Sequence, residues 1–72
     1  MQLEVRGDYI QLDQLLKTTG LCHSGGFAHA EIDGGKVSVD GVVETRKRAK
    51  LRPGQRVGYG DQSIELVALN ES

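Results

Sequence analysis

The sequence predicts an α+β domain in which two adjacent helices precede a small, mostly antiparallel sheet. Three observations carry this. Apolar residues recur at helical spacing over two stretches in the first half of the chain; alternation with a period of two replaces that spacing from Val37 onward; and turn residues punctuate both halves. The chain has 72 residues, enough for one domain over 1–72 and too few for two. Its composition, 38% hydrophobic and 26% charged, is that of a folding chain rather than a disordered one.

Leu3 and Val5 alternate with polar neighbours, which suggests a short strand or extended arm before Gly7. Asp8 is placed to cap a helix, with Gln11 three residues on to reach back, and Leu12, Leu15 and Leu16 then share one face. Gly20 supplies a stop, so the first helix is expected over about 9–19. The link Gly20-Leu21-Cys22-His23 is short enough to make the helices neighbours, with Leu21 expected between them. Ser24 is a good N-cap for a second helix over 24–33, with Ala28 and Ile32 inward and Gly34-Gly35 at its end.

Val37 and Val39 flank Ser38, and Asp40-Gly41 separates them from Val42 and Val43, which reads as a tight hairpin over 37–43. Residues 44–56 form a basic connection containing Leu51 and a Pro53-Gly54 turn. Val57, Tyr59, Ile64, Leu66 and Val67 then supply two strands around Gly60-Asp61.

The net charge of −1 conceals a segregation. Residues 1–45 carry three bases against seven acids, residues 46–56 carry six bases and no acid, and residues 57–72 carry three acids and no base. Arg46, Lys47, Arg48, Lys50, Arg52 and Arg56 are therefore a concentrated cationic run, the pattern that favours a polyanion through counterion release. Ser24-Gly25-Gly26 adds a second feature. Side-chain-free backbone in the first turn of a helix either admits a phosphate to unpaired amides or lets the helix and loop pack closely, and both readings remain open. His23, His29, Tyr9 and Phe27 are candidates to stack on bases, although Phe27 suits the core equally well.

Other functions find little footing. Cys22 is the only cysteine, so no intrachain disulfide and no paired-cysteine zinc site can form. Cys22 and His23 are sequence neighbours with no evident orienting acid, and a set of Cys22, His23 and His29 lacks a fourth metal ligand. The expectation is a non-enzyme without metal or cofactor. A small carrier protein is disfavoured because the chain ends Asn70-Glu71-Ser72 rather than in a diglycine. No apolar run approaches the ~20 residues of a membrane span and the start lacks a signal-peptide pattern, so a cytoplasmic location is expected; the expected state is a monomer.

Leu12-Asp13, Leu15 or Leu16, Gly20-Leu21, Ser24, Ala28, Ile32, Gly35, Val37, Val39 and Gly41 fall at the spacings of the S4 domain, which the chain resembles over about 8–67. Ser24-Gly25-Gly26 and the run Glu44-Thr45-Arg46-Lys47-Arg48-Ala49-Lys50-Leu51-Arg52-Pro53-Gly54 are similar to the small stand-alone bacterial S4-like proteins of the YbcJ type. The resemblance implies the αL motif: two antiparallel helices and a neighbouring strand-loop edge forming an RNA contact face. It therefore implies an RNA partner, ribosomal or otherwise structured. Gln11 and Gly25 stand where many S4 domains have arginine, so neither counts as a basic contact; Asp40 replaces a common asparagine, and Phe27 and His29 stand where charged residues are frequent. The RNA-binding set expected is Arg46, Lys47, Arg48, Lys50, Arg52 and Arg56 with His23, Ser24, Gly25 and Gly26. They are expected to face one side, since one polyanion must touch both groups. The rival reading is a protein-interaction module that docks an acidic partner on the basic loop.

Overall fold

Residues 1–69 are described by the structure, a computed structural model; Asn70-Glu71-Ser72 lies outside the described residues. The order is β1 (Gln2–Val5), β2 (Ile10–Gln11), α1 (Leu12–Thr18), α2 (Gly25–Asp33), β3 (Val37–Val39), β4 (Val42–Val43), β5 (Lys50–Leu51), β6 (Arg56–Tyr59) and β7 (Gln62–Ala68). The expected α+β arrangement is present: two neighbouring helices against a five-stranded sheet ordered β1-β7-β6-β3-β4. Every pairing in that sheet is antiparallel except β1 with β7.

The first helix begins later than 9–19 predicts. Asp8 does not cap it; Gln11 occupies the N-cap in extended conformation, without a side-chain hydrogen bond. Ile10 and Gln11 instead pair with Leu51 and Lys50, and the freed amides of Leu12 and Asp13 donate to the carbonyls of Ala49 and Lys47 at 3.0 and 2.9 Å. A distant backbone segment thus does the work that a local side chain was expected to do.

The second helix forms as predicted. The Ser24 hydroxyl accepts from the Phe27 amide at 3.1 Å, and Ala28 and Ile32 are fully buried. In the link it is Cys22, not Leu21, that is buried: the Cys22 amide donates to the Leu16 carbonyl, while Leu21 packs half-buried at the edge of the core. Burial pushes the Cys22 thiol up from its ordinary value, so it behaves as a small core side chain.

The hairpin turn has Asp40 and Gly41 at φ of 52° and 85°, the paired positive values that a two-residue turn of this twist requires. The helix layer is tied to the sheet through Glu31, which accepts from the Tyr59 hydroxyl at 3.0 Å and pairs with Lys36 at 3.2 Å. Leu12, Leu15, Leu16, Ile32, Val37, Val57, Ile64 and Leu66 fill the space between layers.

At one point the sheet depends on a missing side chain. Gly58 faces Ser38 across β3 and β6, and a Cβ there would lie 2.7 Å from the Ser38 Oγ. Gly58→Ala is expected to destabilise the domain by about 1–3 kcal/mol through overpacking. Adding Ser38→Ala should recover most of the loss, as read from urea midpoints; a single variant with an unchanged midpoint would mean that Ser38 simply rotates aside.

Candidate nucleic-acid interface

The basic connection is held against the start of α1 and against β2 by backbone, not by its charges. The carbonyls of Lys47 and Ala49 are engaged by the start of α1, and β5 is engaged by β2. The side chains of Arg46, Lys47, Arg48, Lys50 and Arg52 are therefore left on the surface of an anchored segment. Among the described residues Lys47, Arg48, Lys50 and Arg52 form no ion pair. Four unneutralised cations within six residues repel one another, and an anionic partner relieves that repulsion.

Arg46 differs. Its Nε and Nη2 donate to Glu44 Oε1 and Oε2 at 3.0 and 3.1 Å, and its amide donates to Oε1 at 2.9 Å. These hydrogen bonds hold the Glu44 carboxyl well below its ordinary range, at about 2. A depressed value means that the pair's contribution is complete above the ordinary value of 4.5 and is lost as pH falls through about 2, so Glu44 is ionised near neutrality. Sequence reasoning counted Arg46 as a free cation. The signal against it was a single acid two positions before the run.

Thr45, Arg46, Lys47 and Arg48 face His29, Ala30 and Asp33 of α2 across a groove of about 470 Å³. His29 is fixed there, its Nε2 lying 2.9 Å from Asp13 Oδ2. Burial pushes the Asp13 carboxyl up, but hydrogen bonds from His29 and from the Gln14 amide outweigh it and keep the group ionised, as does the nearby Arg48. The imidazole N–H accordingly donates to a carboxylate.

The start of α2 lies farther along the same stripe. Gly26 precedes His29, Ala30 and Asp33 by three, four and seven residues, which places it on their face, on the order of 10 Å along the axis from Asp33. A Cβ at Gly26 would meet nothing, and one at Gly25 would only touch Lys17 at 3.9 Å, so close packing does not require either glycine. His23 stacks on Phe27 with ring centroids 4.9 Å apart and planes 27° apart. Phe27 is 38% exposed and lies outside the core. Lys50 Nζ sits 5.0 Å from the centroid of the exposed Tyr9 ring.

Arg56 departs from the cluster. It belongs to β6, where its amide donates to Asp40 Oδ1 at 3.0 Å and its strand partner is Glu65. Its surroundings are acidic, because strand pairing and not the connection sets its place. Among the described residues no group of three His, Cys, Asp or Glu side chains could hold a metal ion, and no helix is long and apolar enough to cross a membrane.

The S4 domain family model matches residues 3–67, reaching back to include β1, which the resemblance over 8–67 left out. YbcJ of Escherichia coli (strain K12) is 45% identical over 60 residues, covering 83% of this chain and 86% of that protein. A tyrosine–tRNA ligase of Ralstonia nicotianae is 42% identical over 53 residues, 74% of this chain but 14% of the ligase. The solution structure of E. coli YbcJ, described as revealing an αL motif involved in RNA-binding, aligns with a TM-score of 0.66 and 41% identity over 94% of this chain and 85% of that one.

Proposed function

The chain belongs to the S4 domain family, and from that premise we propose that it is a non-catalytic module that binds structured RNA, ribosomal or other, through the anchored basic connection. The observation that carries this reading is the set of exposed cations, Lys47, Arg48, Lys50 and Arg52, without ion-pair partners among the described residues on a backbone-pinned segment. Phosphates supply the missing counter-charge, and each one neutralised releases condensed cations. The relative E. coli YbcJ, whose αL motif is described as involved in RNA-binding, supports the same partner. His23, Ser24, Gly25 and Gly26 extend the face along α2, with open backbone at its first turn for a further phosphate. Arg56 is the weakest member of the set, since Asp40 and Glu65 adjoin it.

Glu44 is the internal rival of the RNA for Arg46. Binding measured by fluorescence anisotropy on a hairpin RNA across a salt series tests both statements. The wild-type protein should lose affinity with rising salt, and Glu44→Gln should steepen the slope by about 0.7 and tighten binding about fivefold near 0.1 M salt, as one more contact becomes available. No binding at low salt would end the RNA reading. Binding with an unaltered slope in Glu44→Gln would exclude Arg46 from the contact.

A further inference from the structure

The groove between α2 and the connection is not uniformly cationic. Its volume of about 470 Å³ suits a single nucleotide, and its walls differ in chemistry. One wall carries Arg46, Lys47 and Arg48. The other is a face of α2 with His29, Ala30 and Asp33, of which Asp33 is the unexpected member.

Asp33 is the last residue of the helix, where a carboxylate meets the negative end of the helix dipole, and no basic residue in that turn offsets it. It is exposed and forms no ion pair among the described residues, although three cations line the opposite wall. For phosphate binding alone it is counterproductive, since it repels what those cations attract. What it offers instead is a pair of strong acceptors and no donor.

Watson–Crick edges differ in how they meet such a group. Guanine presents two adjacent donors, N1–H and the N2 amino group, which match two carboxylate oxygens. Adenine and cytosine present one amino donor beside a ring-nitrogen acceptor, and uracil presents one N–H between two carbonyl oxygens; each sets an acceptor against the carboxylate. The edge is available only on an unpaired base. His29 supplies a ring pinned by Asp13, with its side chain 35% exposed, Ala30 leaves a small apolar floor, and Asp33 follows His29 by one helical turn, on the order of 6 Å along the axis.

We propose that this groove holds one unpaired guanine of the bound RNA, with its phosphate on the Arg46–Arg48 wall, its ring against His29 and Ala30, and its Watson–Crick edge on the Asp33 carboxylate. This rests on the RNA-binding reading and adds base selectivity to it.

Four hairpin RNAs that differ only in one unpaired loop nucleotide, G, A, C or U, test the assignment by fluorescence anisotropy at fixed salt. The guanine hairpin is expected to bind about tenfold more tightly than the others, the discrimination typical of a bidentate contact to a base edge. Asp33→Asn, at an exposed helix end, removes the paired acceptors and one negative charge. It should strengthen binding of the A, C and U hairpins while bringing the guanine advantage within about twofold. Equal wild-type affinity for all four hairpins would overturn the guanine site and leave RNA binding standing, as would discrimination that survives Asp33→Asn. Absence of binding to every hairpin at low salt would remove RNA binding, and the guanine site with it. Guanosine 5′-monophosphate that binds as tightly as the guanine hairpin would assign the groove to a free nucleotide and overturn the proposal.

Discussion

Replacing Arg46, Lys47 and Arg48 together by alanine is expected to weaken RNA binding about 25-fold near 0.1 M salt. Each phosphate contact on a single strand contributes a slope of roughly −0.7 in the logarithm of affinity against the logarithm of salt. About four contacts, from Lys47, Arg48, Lys50 and Arg52, give a slope near −3, and losing two of them flattens it by about 1.4, which at 0.1 M corresponds to about 1.4 decades of affinity. Arg46 does not enter the count, since Glu44 already holds it in the wild-type protein. Phosphate contacts position without reading bases, so the loss should be similar on RNAs of different sequence. The fold should persist, because the connection is anchored through the carbonyls of Lys47 and Ala49, which alanine retains. An unchanged slope and affinity in a variant with native circular dichroism would remove these residues from the interface.

The second large effect concerns the layer that carries the interface. Leu15 is fully buried with Leu12 and Leu16 on α1, in the core shared with Ile32 of α2. Leu15→Ala is expected to cost about 2–5 kcal/mol, a transfer term plus the cavity left behind. A domain of this size has a total stability of roughly 4–11 kcal/mol, so one such change removes a large share of it. The melting temperature should fall by about 8–40 °C, since each kcal/mol is worth about 4–8 °C in a domain this small. Thermal melting followed by circular dichroism measures this directly. A fall of only a degree or two would contradict the close packing of α1 against the core.

The amino-acid sequence by itself determined the features that arise from neighbours along the chain. Ser24 caps α2 through an amide three residues away, and Gly20 and Gly35 adopt the positive φ that ends each helix. Asp40-Gly41 turns the hairpin with both φ values positive, and alternation of Val37 and Val39 marks the strand. Each depends on a few consecutive residues whose geometry and side-chain chemistry admit few alternatives. The segregation of positive charge into residues 46–56 was legible in the same way, because charge is carried by residue type.

Only the tertiary structure decided where α1 begins, since its first amides are satisfied by carbonyls of Lys47 and Ala49, far along the chain, and not by Asp8. The same holds for β1 lying parallel to β7 and for β2 pairing with β5, whose partners leave no periodic trace in the residues between them. The β2–β5 pairing anchors the connection whose Arg46, Lys47 and Arg48 face His29 and Asp33, while the pairing of β6 with β7 carries Arg56 away to Glu65 and Asp40. The physical reason is that a helix start or a strand can be satisfied by any suitable backbone group that arrives. Which group arrives is settled by burying Leu12, Leu51 and Val57 in one core, a condition on the whole chain rather than on any window of it.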